Sequence, residues 1–135
     1  MSVEISQIRA ALVTNLKTLT DSRQVSAYQL ESPTPASLWV TNPGEIVRTA
    51  FGSYELVIQV QGAAAASTEK GAQIRLDKWL SPTGSTSVWA AIEHDKTLGG
   101  IVANAIVTRC DGSQFFTGKG GTEMLGSTWH IQIEL

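Results

Sequence analysis

Two stretches of this chain alternate apolar and polar residues regularly enough to fix the kind of fold it can adopt. Tyr54, Leu56, Ile58 and Val60 alternate with Glu55, Val57, Gln59 and Gln61. Near the end, Trp129, Ile131, Ile133 and Leu135 alternate with Thr128, His130, Gln132 and Glu134. Successive side chains on a strand point to opposite faces, so each stretch has one apolar face. Such strands need a second layer to bury that face.

Helical patterns supply the layer. Ile5, Ile8, Leu12, Leu16 and Leu19 recur at steps of three and four. At about 100° per residue they fall within an arc of about 80°. Gln7, Thr14, Lys17 and Thr18 take the other side, Ser2 is a candidate N-cap, and Glu4 suits the positive end of the helix dipole. From about Thr68 a second helix places Ala72, Leu76, Trp79 and Leu80 on one face, until Ser81-Pro82-Thr83-Gly84 breaks it. A short third helix is expected from about Ser85 to Asp95, with Val88 and Ile92 on one side and Leu98-Gly99-Gly100 closing the unit.

The remaining segments read as strands and turns. Val25 to Glu31 is an imperfect strand, followed by Ser32-Pro33-Thr34-Pro35, whose prolines fix two φ angles and remove two donors. Leu38-Trp39-Val40 is a short apolar piece stopped by Asn42-Pro43-Gly44. Gly62 is expected to end the Tyr54 strand, with Ala63 to Ser67 following as a small-residue segment. Ile101 to Cys110 reads as a strand, and Asp111-Gly112 is a turn signal. The last two strands are expected to be adjacent and antiparallel. The order helix, strands, two helices, strands predicts an α+β fold. It comprises an antiparallel or mixed sheet flanked by an N-terminal helix and two central helices, in one domain over residues 1–135.

Composition narrows the function classes. A chain of 135 residues buries roughly two-thirds of its unfolded surface, enough for a core without disulfides or metals. A net charge of −2 lacks the basic excess of a free nucleic-acid-binding domain, although a local patch is compatible with it. Cys110 is the only cysteine, so no internal disulfide points to secretion. Met1-Ser2-Val3-Glu4 lacks the basic start and apolar run of a signal peptide. Leu56 to Ala66 is the nearest approach to a spanning segment, and Gln59 and Gln61 interrupt it. The expectation is a soluble protein made in a reducing cytoplasm, without membrane contact.

Chemistry-bearing motifs fail on spacing. Gly118-Lys119-Gly120-Gly121 lacks a phosphate loop's earlier glycine, since Ser113 stands there, and its Ser or Thr after the lysine. A dinucleotide-binding reading fails because Glu123 occupies the third glycine position. His94, Cys110 and His130 form no metal-ligand pair in sequence. His94 is expected at a helix end and His130 in solvent, while Cys110 reads as a small packed residue. Glu93 and Asp95 point apart on a helix and read as a solvated face. Trp79 and Trp129 fall on apolar faces and read as core. Trp39 and Trp89 are open to a core or an interface place.

The order of segments carries a resemblance. The Met1-Ser2-Val3-Glu4-Ile5 helix leads to Gln24-Val25-Ser26-Ala27-Tyr28 and then Ser32-Pro33-Thr34-Pro35-Ala36-Ser37-Leu38-Trp39-Val40. Ala72-Gln73-Ile74-Arg75-Leu76-Asp77-Lys78-Trp79-Leu80 follows, then Ser87-Val88-Trp89-Ala90-Ala91-Ile92-Glu93 and Thr97-Leu98-Gly99-Gly100. Over most of its length the chain resembles the small neck or tail terminator proteins of long-tailed phages that infect actinobacteria. The resemblance implies an α+β subunit of the virion, assembled in the host cytoplasm, that closes into a homo-oligomeric ring, typically a hexamer. The ring caps the head-proximal end of the tail tube, stops its growth and meets head-completion or connector proteins. Genomic DNA passes through its lumen without sequence-specific contact. No enzyme activity and no cofactor are implied.

A ring needs two different patches per subunit. Ile74 lies opposite Leu76 and Trp79 on its helix, and Val57 lies on the polar side of its strand, so both are candidates for a second contact. Trp39 and Trp89 join them. The loops Gln61 to Ser67, including Ala64, and Gly112 to Gly121, including Lys119, are expected to project from strand ends toward tube or neck partners. The alternatives are another ring-forming neck protein (a connector or stopper), a small cytoplasmic enzyme, and a monomeric binding module.

Overall fold

The computed structural model describes residues 4–19, 24–28, 36–66, 70–117, 121 and 123–135. Ser2, Gln29 to Pro35, Ser67, Thr68 and Gly118-Lys119-Gly120 lie outside them, so the expectations placed there are not addressed by the structure. Helix α1 is Ile5–Leu16, α2 is Lys70–Leu80 and α3 is Val88–Ile92. The strands are β1 Gln24–Ser26, β2 Ser37–Val40, β3 Ile46–Ala50, β4 Ser53–Ala66, β5 Asn104–Cys110, β6 Gln114–Thr117 and β7 Glu123–Glu134.

The two alternating stretches become the spine of one sheet. Strands β4 and β7 pair antiparallel from Glu55 opposite Glu134 to Ala66 opposite Met124. The outer edge of β4 carries β3 beside its first residues and β2 beside residues 60–63. The outer edge of β7 carries β6 beside its first residues and β5 beside its last. Among the described residues only β1 and β2 run parallel, and seven strands form one mixed sheet in an α+β fold. The expected antiparallel neighbours, β5 and β7, do pair, with β6 inserted between them in sequence.

One face of the sheet is covered and the other is open. Leu56, Ile58, Val60, Trp129, Ile131 and Ile133 point to the covered face and meet Ile8, Leu12 and Leu16 of α1, Leu76 and Trp79 of α2, and Val88 and Ile92 of α3. Trp79 and Trp129 are both fully buried, with ring centroids 6.5 Å apart. Glu4 is the N-cap of helix α1, and its N–H donates to the Gln7 side chain at 2.8 Å, one half of a capping box. Ser87 caps α3 by accepting from the Ala90 N–H at 3.0 Å. Leu19 is buried although it lies beyond the helix.

Several expectations are corrected. Gly62 does not end its strand: β4 runs on to Ala66, and Gln61 to Ala66 form ladder rather than a projecting loop. A Cβ at Gly62 would lie 2.5 Å from Leu38 Cδ2 and 2.9 Å from Trp79 Cζ3, so glycine there makes room for the tryptophan core. The segment from Gly112 to Gly121 is not all loop, because Gln114–Thr117 pairs with β7 as β6. Strand β3 was not anticipated. All five of its residues are exposed, so no face shows the pattern of burial that marks a strand. The strand expected from Ile101 begins at Asn104, behind a turn in which Leu98, Gly99 and Gly100 all take positive φ. Helix α3 is one and a half turns rather than the eleven residues expected, and β1 is three residues long.

Candidate functional site

Polar side chains stitch the open sheet face together. The Gln59 amide donates to His130 Nδ1 at 3.3 Å, which leaves Nε2 to donate to the Asp111 carboxylate at 2.9 Å. Arg109 Nε approaches the same carboxylate at 3.4 Å. His130 is therefore not solvated as expected: its side chain is only 12% exposed and ties β4 and β7 to the turn between β5 and β6. Histidine and aspartate together invite a catalytic reading, but the ring's other nitrogen meets an amide, where acyl-transfer chemistry needs a hydroxyl or thiol. Cys110 and Ser127 face the covered side and meet each other at 3.2 Å. Among the described residues no group of three side chains is placed to hold a metal ion.

Two further carboxylates, Glu93 and Asp95, hold the segment that follows α3. Glu93 accepts from the Val107 N–H at 2.9 Å and so anchors β5. Asp95 accepts from the Thr97 hydroxyl at 2.9 Å, the Gly99 N–H at 3.0 Å and the Thr97 N–H at 3.1 Å. The Thr97 hydroxyl bond, followed by the two backbone donors, holds its pKa below the ordinary 3.8. Its hydrogen bonds form the turn after α3. Arg9 is buried on α1 and donates to Ala27 O at 2.8 Å, Val40 O at 3.2 Å and Asn42 Oδ1 at 2.9 Å.

The sequence-selected residues do not converge. Trp39 is 2% exposed and packs edge-on against Phe116, with its Nε1 donating to Gln61 Oε1 at 3.0 Å. It belongs to a small apolar cluster with Ala63 and Met124 on the face away from the helices. Trp89 is half-buried against the main core. Ala64 is fully buried in β4, and Gln61 is half-buried there, so neither stands on a loop. Val57 is exposed on the open face, beside Gln59, Gln61, Thr41 and Asn42 in a shallow polar cleft. Ile74 is 49% exposed on the outward side of α2. Ser67 and Lys119 lie outside the described residues.

Sequence reasoning passed over the most exposed apolar group among the described residues. Strands β3 and β4 form a hairpin through Phe51 and Gly52, with Gly52 at φ +79°, where glycine is favoured. Phe51 at its tip is 100% exposed, and Ile46, Val47 and Tyr54 on its arms are exposed as well. Arg48 stacks over the Tyr54 ring, 5.4 Å from its centroid, and donates to its hydroxyl at 3.1 Å. The available signal was an Ile-Val pair and a lone phenylalanine before glycine. A second exposed apolar site lies between α2 and β6, where Leu76, Leu80 and Leu125 floor a cleft of about 320 Å³. Phe115 stands at its rim, 67% exposed, and Asp77 and Ser113 line it. Single exposed apolar residues are ordinary, whereas clusters mark contact surfaces.

No known family model matches the chain, and no curated protein matches it.

Proposed function

We propose that this chain is a structural subunit of a phage neck, a tail terminator that works by surface complementarity in a ring. The observation that carries the reading is the pair of unlike apolar sites, the β3–β4 hairpin and the α2–β6 cleft, on one small domain. A closed ring uses two different surfaces of each subunit, one meeting the other around the axis. The order of segments described above adds the tail terminator resemblance. In this reading the ring, a hexamer by that resemblance, caps the tail tube and receives head-completion or connector proteins. DNA passes a lumen that a near-neutral subunit does not grip through its phosphates.

The test is a negative-stain image of purified protein mixed with tail tubes. Caps on one end of each tube support the reading, and bare ends on every tube sink it. Capture by portal-side proteins in preference to tube protein would instead assign the chain to a connector or stopper.

A further inference from the structure

We infer that Phe51 at the β3–β4 hairpin tip seats in the α2–β6 cleft of a second copy of this chain, with Arg48 set against Asp77. This deepens the ring reading and rests on it for the expectation that copies meet head to tail.

Topology excludes the same molecule as the occupant. The hairpin stands where β4 begins, on the edge of the sheet that β3 forms. The cleft lies where β4 ends, since Leu125 pairs with Ala65, and on the opposite edge, which β6 forms. Twelve strand steps separate Ser53 from Ala65, roughly 40 Å at about 3.3 Å per residue. The two sites therefore sit at diagonal corners of one sheet, and a chain cannot fill its own cleft.

Size and charge fit the two sites to each other. A cavity of about 150 Å³ holds a benzene ring, and the cleft offers about 320 Å³ above an apolar floor. Arg48 carries its charge near the tip and has no carboxylate partner among the described residues, and Asp77 at the cleft has no cationic one. An exposed aromatic entering a leucine-floored cleft, with an opposite charge at the margin, is the form that strong contact residues take. A contact between unlike corners is heterologous, so it propagates from copy to copy until it closes.

Disulfide trapping tests the geometry even where association is weak. In a Cys110→Ser background that keeps Phe51, Thr49→Cys with Ser113→Cys should yield under mild oxidation a ladder of species beyond dimer, since Thr49 is exposed two residues from the tip. Thr49→Cys alone should stop at dimer. No ladder from concentrated double variant, or the same ladder with Ser6→Cys in place of Ser113→Cys, overturns the inference. Phe51→Ala should weaken self-association roughly 30-fold, as loss of a central aromatic does. Arg48→Asp and Asp77→Arg should each weaken it as well. Mixing those two variants should restore it, because each hairpin then finds an opposite charge on its neighbour. A mixture no better than its components overturns the pairing. Rings that persist unchanged in Phe51→Ala, without a ladder, would defeat this contact and leave the ring reading standing. A ladder from a protein that never caps tubes would keep the contact and defeat the tail reading.

Discussion

Strand β4 passes through two different environments. From Ile58 to Ala64 its inward residues are buried under α2 and beside Trp129, with β7 on one edge and β2 on the other. At its start, where β3 is its outer neighbour, the hairpin residues Ile46, Val47, Phe51 and Tyr54 are all exposed. Backbone pairing is continuous along the strand. The difference is the helix layer, which stops short of the hairpin. Ladder hydrogen bonds alone give little net stability, and buried apolar area gives most of it. One end of β4 should therefore behave as core and the other as an appendage.

The largest expected effect is at the core end. Trp129→Ala empties a fully buried site between Trp79 and the β4 ladder, and should cost about 3–5 kcal/mol in urea unfolding. A loss under about 1 kcal/mol would mean that the tryptophan core is not what holds the sheet to its helices.

Next comes Arg9→Leu, which tests whether the packed half relies on a buried cation as well as on apolar area. It strips partners from the Ala27 and Val40 carbonyls and the Asn42 side chain, and should cost about 2–3 kcal/mol. Arg9→Lys should recover only part of this, because an ammonium lacks the guanidinium's fork of donors. Equal stability of Arg9→Leu and the unaltered protein would show these bonds to be neutral.

Much of the packed half was legible in the sequence, and little of the exposed half was. Period two in Tyr54 to Val60 and in Trp129 to Leu135, and the stripe from Ile8 to Leu16, announce burial on one side, which is what periodicity measures. Strand β3 buries neither face, so it leaves no such trace, and Phe51 sits in a turn where an aromatic has no local role. Gly62 misled because glycine usually punctuates, whereas here it clears space for Leu38, Trp79 and Trp129. The His130 network and Arg9 depend on partners distant in sequence, and no local spacing encodes them. Of the residues selected for contact, Val57 and Ile74 are exposed, while Trp39 is covered by Phe116 from β6 and Ala64 lies in the main core.

Acid sharpens the comparison, since the turn that closes the packed half depends on an ionised carboxylate and the Phe51-Gly52 turn contains none. The folded-state pKa of Asp95 is depressed below its ordinary 3.8, chiefly by the Thr97 hydroxyl and then by the Gly99 and Thr97 N–H groups. Its contribution is thus full above about pH 4 and drains away as pH falls through the lowered value. Urea midpoints of the unaltered protein and Asp95→Asn should differ at pH 5 and converge toward pH 2. A gap that stays constant over that range would show that the Asp95 carboxylate is not the titrating group.

The smallest expected effect falls on the hairpin. Phe51 is fully exposed, and its turn is set by Gly52 at φ +79° rather than by any contact of the ring. Phe51→Ser should therefore change the unfolding free energy of the monomer by no more than about 0.5 kcal/mol. Amide exchange in β3 should stay faster than in β7, whose neighbours on both sides shield it. A loss above about 1 kcal/mol in dilute protein would mean that the ring packs on its own chain. It would then have no free face to offer another copy, and the two ends of β4 would differ in degree only. If the loss appears only as protein concentration rises, the ring is stabilising an assembly, and the exposed end of β4 is exposed because a neighbour covers it.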